Sequence, residues 1–287
     1  RPDIDRILDY YDGKRDETGL VGSIGFWPFI DWQDDWKDSA GVSPAYFEGP
    51  SAIINLMYAY ALECGAKLYE ATGRPGTAEE YRERRDDILS KVKKLCFDPE
   101  KGMVREGPAC WQFTRHAQAW AVVNGMLDEE ESRRAMQASL NCPPCSFSTS
   151  YEWFRALERA GMEEQMRRDL DAWIGLLSRG STTCPEEPHH PRSECHAWSA
   201  LPLYEFMRTL AGVRQENGRI VIRPRLLDLP DLSGVAITPM GSVQYRYQRD
   251  QNHGWQYEII LPEKAEGCLI LPDGRRIPFT GKLLYTA

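Results

Sequence analysis

Apolar residues recur at intervals of three and four along the first two-thirds of the chain, then at every second position toward its end. This change of period predicts helices followed by strands. Between Ser51 and Thr72, Ile53, Ile54, Met57, Tyr58, Ala61, Leu62, Leu68 and Tyr69 fall on one helical face, and Gly73-Arg74-Pro75-Gly76 stops that helix. Thr77-Ala78-Glu79-Glu80 carries the capping-box pattern and opens a second helix that runs to about Leu95. The alternation continues with an apolar helix over Phe113–Asn124, acids at Asp128-Glu129-Glu130-Glu131 on the first turn of the next, and a pair over Ser148–Ala160 and Glu163–Ser178. Apolar, aromatic helices alternate with helices rich in Arg and Glu, which suits hairpins set around an axis. From Gly218 the period is two. Arg219–Pro224, Ser242–Tyr247, Trp255–Leu261 and Gly267–Leu271 read as short strands, with Pro272-Asp273-Gly274-Arg275 as a hairpin turn. The expected organisation is therefore a mainly α region over residues 1–215 and a small antiparallel β-sandwich over residues 216–287.

At 287 residues, with 42% hydrophobic and 27% charged positions, the chain can bury a core without metals or disulfides. A net charge of -8 and the lack of a face dense in Lys and Arg exclude a nucleic-acid partner, so a neutral ligand is expected. No apolar run of about 18 residues is present to span a bilayer. The opening Arg-Pro-Asp-Ile-Asp, in place of Met or a signal peptide, reads as the start of a fragment. Of the 8 cysteines, several lie inside apolar helical patterns, which favours a reducing, cytoplasmic setting over a disulfide framework. Cys142-Pro143-Pro144-Cys145 has CxxC spacing, but zinc would need further ligands, so it reads as a proline-stiffened loop and is assigned no function. No metal or organic cofactor is expected.

Two segments combine acids with aromatics: Trp27-Pro28-Phe29-Ile30-Asp31-Trp32-Gln33-Asp34-Asp35-Trp36, and Thr182-Thr183-Cys184-Pro185-Glu186 with Ser193-Glu194-Cys195-His196-Ala197-Trp198-Ser199. Indoles stack on the apolar faces of sugars while carboxylates accept hydroxyls, so both point to a carbohydrate site. With these motifs in place, the chain resembles the C-terminal portion of the α-L-rhamnosidases of glycoside hydrolase family 78. The resemblance rests on Phe29-Ile30-Asp31-Trp32, on Thr182-Thr183-x-x-Glu186 with Ser193-x-Cys195-His196-Ala197-Trp198-Ser199, and on Thr238-Pro239-Met240-Gly241-Ser242-Val243.

The resemblance implies a catalytic (α/α)6 barrel, a terminal β-sandwich, and hydrolysis of terminal rhamnosides with inversion. Two carboxylic acids would do the work, about 6.5–9.5 Å apart to admit a water. Glu186 matches the water-activating base, with Glu187 its nearest rival and Glu194 a weaker one. The family's general acid lies in a segment of the kind Asp-x-Pro-x-Arg-Asp-Glu-Arg, and nothing like it occurs here. About seven or eight helices are legible where six hairpins need roughly twelve, so the barrel is expected to be incomplete. The fragment alone is then expected to be inactive, and its uncovered inner helix faces allow a homodimer.

By the same resemblance His196 donates to a sugar hydroxyl, although a satisfied core histidine is the alternative. Asp31, Trp32 and Trp36 form a stacking and accepting patch, or else an aromatic plug with solvated acids, and Trp198 joins the substrate-binding set. Asp34 and Asp35 are weaker members, and Trp27 goes either way. Trp111, Trp120, Trp153 and Trp173 follow helical spacing and read as core. Glu152 fits either a cavity or a polar helix flank. Arg115 and Arg192 are the basic residues near the motifs, and His189 and His190 read as surface loop. Two other functions stay open, a six-hairpin glycosidase of different specificity and a non-catalytic sugar-binding module.

Overall fold

In the computed structural model, which describes residues 2–189, 191–249 and 254–287, the chain divides into two units, Arg1–Met166 and Arg167–Ala287. His190 lies outside the described residues. The first unit starts with α1 (Pro2–Asp12), passes through an aromatic-rich irregular stretch with a 3-10 turn at Asp34–Ser39 and the short α2 (Ala45–Glu48), and then forms a helical hairpin, α3 (Ala52–Ala71) and α4 (Pro75–Cys96). The Ser51 hydroxyl caps α3 by accepting from the Ile54 amide, so the helix starts where the apolar pattern begins. The second helix differs from its expected start. Proline, whose fixed φ suits the first helical turn, begins α4 at Pro75, and Thr77 to Glu80 therefore lie inside the helix rather than boxing its end. The two helices cross closely at Gly65, where a Cβ would meet the Tyr81 ring at 3.0 Å.

A two-stranded hairpin, β1 (Phe97–Asp98) and β2 (Met103–Val104), leads to α5 (Arg115–Val123), α6 (Glu129–Ser139) and α7 (Ser150–Arg159). Every residue of α5 after Arg115 is buried, packed against α3, α6 and α7. Gln118 within it clamps both the amide and the carbonyl of Val104 at 2.7 Å. The acids expected at the start of α6 do form a reciprocal box, Asp128 accepting from the Glu131 amide and Glu131 from the Asp128 amide.

The division between units falls in α8 (Glu163–Asp169), and the helix expected to run on to Ser178 breaks at Leu170, with α9 (Asp171–Ser178) beyond it. The second unit then carries a long loop, a 3-10 turn at Ala197–Ala200, α10 (Leu201–Glu205) and a π-helical turn at Phe206–Leu210. Its strands are β3 (Val213–Glu216), β4 (Arg219–Ile222), β5 (Asp231–Thr238), β6 (Gly241–Arg249), β7 (Trp255–Ile260), β8 (Glu266–Ile270), β9 (Arg276–Thr280) and β10 (Lys282–Thr286). They pair into two four-stranded sheets, ordered β10-β7-β6-β5 and β3-β4-β8-β9. Ile220, Ile222 and Leu269 from one sheet share a core with Val243, Tyr247, Tyr257 and Ile259 from the other. The alternating burial along β6 matches its period-two sequence. One sheet is mixed rather than antiparallel throughout, because β4 and β8 run parallel. The chain leaves β4, builds β5 to β7 in the other sheet, and returns in its original direction.

Candidate functional site

In the first unit the Phe29–Trp32 segment is folded back on itself by Gly41. Its carbonyl accepts the amides of Ile30 at 2.8 Å and Asp31 at 3.2 Å. Gly41 sits at φ 79°, and a Cβ there would lie 2.8 Å from the Asp31 carbonyl oxygen, so only glycine fits.

This fold turns Asp31 inward, to 0% exposure. Its carboxylate accepts from His116 Nε2 at 2.7 Å, the Ser146 amide at 2.9 Å, the Ser148 hydroxyl at 2.6 Å, the Thr149 hydroxyl at 2.8 Å and its neighbour's amide, Trp32, at 2.9 Å. The Ser146 hydroxyl donates to it as well. Burial alone would raise the Asp31 carboxyl. The His116 hydrogen bond and charge, with the serine donors, outweigh burial and hold it well below the usual carboxylate range. For His116, burial favours the neutral ring, but the adjacent Cys145 sulfur and the Asp31 carboxylate oppose it, and the ring is pushed up to about 10. Trp36 walls this imidazolium with ring centroids 4.8 Å apart. Glu106 and Glu152 lie nearby, each raised first by burial.

At this cluster Asp31 is fully buried and hydrogen-bonded by protein donors, and Trp36 is 1% exposed. Trp32 keeps partial exposure beside Phe29 and Trp27, at centroid distances of 5.0 and 6.2 Å. Trp27 is the exposed indole of the three, tied to the Ala40 carbonyl at 3.0 Å. Asp34 and Asp35 are exposed, Asp34 pairing with Lys37 at 2.9 Å. Trp120, Trp153 and Trp173 are core as expected, whereas Trp111 is 71% exposed under the Arg105 guanidinium. Sequence reasoning missed His116. The available signal was a histidine at the start of an otherwise apolar helix.

The second unit holds Glu186 in a loop laced across its width. The Glu186 amide donates to the Ser193 carbonyl at 2.9 Å, and the His196 amide to the Cys184 carbonyl at 2.6 Å. Trp198 Nε1 donates to the Glu186 carbonyl at 3.0 Å, the Ser199 hydroxyl donates to the Pro185 carbonyl, and Trp173 Nε1 donates to the Ser199 carbonyl at 2.7 Å. The residues of the Ser193–Ser199 motif thus serve as a clamp on the backbone that carries Glu186.

Glu186 is 4% exposed, and Arg192 donates to both its carboxylate oxygens, from Nη2 to Oε1 and from Nε to Oε2 at 3.2 Å. This pairing, with a smaller contribution from His196, holds the carboxyl below its ordinary range against the opposing effect of burial. His196, half-buried, stacks on Trp198 with centroids 4.1 Å apart, and its Nδ1 is buried without a hydrogen-bond partner among the described residues. An ionised carboxylate, an imidazole edge and an indole face thus lie within one segment. His189 is exposed. Among the described residues no cluster of His, Cys, Asp and Glu is arranged to hold a metal ion, and no helix is long and apolar enough to cross a membrane.

No family model matches the sequence, and no curated protein matches it. Solved structures do share its fold. The rhamnosidase of glycoside hydrolase family 78 from Bacillus sp. GL1 is 24% identical with a TM-score of 0.83, over 95% of this chain and 30% of that one. The α-L-rhamnosidase from Aspergillus terreus is 17% identical with a TM-score of 0.74, over 95% and 34%. The α-L-rhamnosidase from Dictyoglumus thermophilum is 15% identical with a TM-score of 0.69, over 93% and 32%. The chain spans about a third of the length of the structures it matches.

Proposed function

We propose that this chain is the C-terminal part of an α-L-rhamnosidase of glycoside hydrolase family 78. Residues 1–215 are the last hairpins of an incomplete (α/α)6 barrel and residues 216–287 the terminal β-sandwich. The activity is inverting hydrolysis of terminal α-L-rhamnosides, with no metal or organic cofactor. Glu186 is the base that activates water, His196 donates to a hydroxyl of the sugar, and Trp198 offers an apolar wall. Trp32 is a second indole face, its amide held by the Asp31 carboxylate.

One observation carries this reading. In a chain with the fold of the rhamnosidases, the carboxylate predicted as base is kept ionised by Arg192 in a loop fixed by backbone hydrogen bonds, beside an imidazole nitrogen that has no hydrogen-bond partner among the described residues. A water-activating base must be ionised and rigidly aimed, and this loop supplies both conditions.

The proton donor for the leaving oxygen belongs to a segment upstream of residue 1. Residues 1–287 alone are therefore expected to hydrolyse an aryl α-L-rhamnoside at least about 10²–10⁴-fold more slowly than a chain extended upstream. In the extended chain Glu186→Gln should lower kcat by a comparable factor while rhamnose still binds. Full turnover by residues 1–287, or by the Glu186→Gln form, would overturn the assignment. Rhamnose binding with no hydrolysis even in the extended chain would instead identify a sugar-binding module.

A further inference from the structure

Trp111 was expected in the core, yet it stands 71% exposed in the loop between β2 and α5. The hydrolytic reading gives it no task. Cys110 before it is buried and Gln112 after it is exposed, so the chain turns the indole out and the thiol in.

The loop that carries Trp111 is held at several points. The Arg105 amide donates to the Cys96 carbonyl at 2.9 Å, and the Glu106 amide to the Gln112 carbonyl at 2.9 Å. The Ala52 amide, at the start of α3, donates to the Glu106 carbonyl at 2.6 Å, and the Ser43 hydroxyl donates to the buried Glu106 side chain. A Cβ on Gly107 would lie 2.8 Å from the Pro50 carbonyl oxygen, so the loop approaches α3 this closely only with glycine. The Arg105 guanidinium covers one face of the Trp111 ring, 4.1 Å from its centroid. Arg105 is itself fixed by the Leu95 carbonyl at 2.7 Å and the Pro108 carbonyl at 3.3 Å. With the residue 71% exposed, the opposite face of the indole is open.

The same end of the first unit carries Trp32. The Trp111 loop is bonded to the start of α3 and runs into the Thr114 cap of α5, while Asp31, next to Trp32, is bonded to His116 in the first turn of α5 and to Thr149 just before α7. A rigid indole with one face backed by a cation offers a ligand one flat, uncharged apolar surface. The C–H face of a pyranose matches that surface, and ordering it costs little because the loop is already set. A protein partner would need about 800 Å² on each side, whereas the exposed residues flanking Trp111 in the loop are Ala109 and Gln112, one small and one polar.

We propose that the open face of Trp111 is a stacking platform for one pyranose ring of an uncharged saccharide chain, so that the first unit takes a ligand longer than a single sugar. This rests on the carbohydrate reading above and extends it to the length of the ligand.

The test uses the intact 287-residue chain labelled with fluorotryptophan, the Trp111 signal being assigned by its loss in Trp111→Phe. Titration with an α-L-rhamnosyl disaccharide should shift the Trp111 fluorine resonance to saturation, and in calorimetry Trp111→Ala should weaken the disaccharide by about tenfold. A Trp198 signal that shifts while that of Trp111 stays still overturns the platform and leaves the hydrolytic reading standing. A shift at Trp111 alone supports the platform, and the hydrolytic reading is then decided by turnover in the chain extended upstream. If neither signal moves, the platform is overturned. A Trp111 signal that follows protein concentration and ignores the sugar identifies a contact between copies and overturns it as well.

Discussion

Arg192 gives Glu186 its charge state and sets a prediction at the residue scale. With the carboxyl depressed by that pairing, the acidic limb of any Glu186-dependent rate lies below the ordinary glutamate value. Arg192→Ala should move the limb toward higher pH, visible in kcat/KM against pH with the upstream segment restored. A limb that stays in place would show that Arg192 does not tune the base. The pairing also lowers basicity, so Arg192→Ala is expected to leave a stronger but less fully ionised base.

The His116 pair makes the opposite pH statement. Its folded value, about 10, lies above the unfolded one, so the stability it contributes is complete below about pH 6.5 and is lost as pH rises through the folded value. Melting temperature should fall across that window, and a flat profile would contradict the buried imidazolium. Asp31 was legible in the sequence as an important acid but not as a buried hub. Its donors at Ser146, Ser148 and Thr149 are 115 to 118 residues away, and no local pattern encodes such a distant partner.

At the scale of elements, the acids at the start of α6 were readable though not the box they form, and the start that proline sets for α4 was misplaced. Asp128 and Glu131, read in the sequence only as acids of the first turn, close a reciprocal box, and Glu131 also pairs with Lys93 of α4 at 2.6 Å. Asp128→Ala should therefore cost about 1 kcal/mol, measured by urea unfolding; a change indistinguishable from zero would mean that α6 is held by its tertiary contacts alone. Thr77 to Glu80 show the same pattern without the cap, because Pro75 had already begun the helix. Strands β4, β6, β7 and β8 were visible through their alternation, and β9 was not read. By contrast β5 buries Ala236 alone, with Ser233 and Gly234 weakening the period, and β3 and β10 place few residues in the core. Such edge-like strands are specified by their neighbours more than by their own pattern.

For the molecule as a whole, apolar surface is the quantity that asks for a partner. In the first unit an apolar cavity of about 350 Å³ is lined by Ile7, Tyr11, Phe26, Trp27 and Met57. In the second, Ile174, Leu177, Leu203 and Phe206 line another of about 410 Å³, with Leu177 72% and Leu203 70% exposed. Contiguous apolar area of this kind rarely stays open to water. Under the proposed reading the remaining barrel hairpins cover these faces, and residues 1–287 alone are expected to sediment as a homodimer that the upstream segment returns to monomer. A monomer at high micromolar concentration without that segment would argue that the faces are complete as they stand.

Thr149 precedes α7 where a capping residue would stand, yet its hydroxyl is bound to Asp31, and the first amides of α7 receive no side-chain cap from it. The start of that helix is therefore tied to the docking of a loop more than a hundred residues earlier. In native-state hydrogen exchange the opening turn of α7 and the Ile30–Asp31 amides should open together as one cooperative block. A peptide containing α7 by itself would fray at this end.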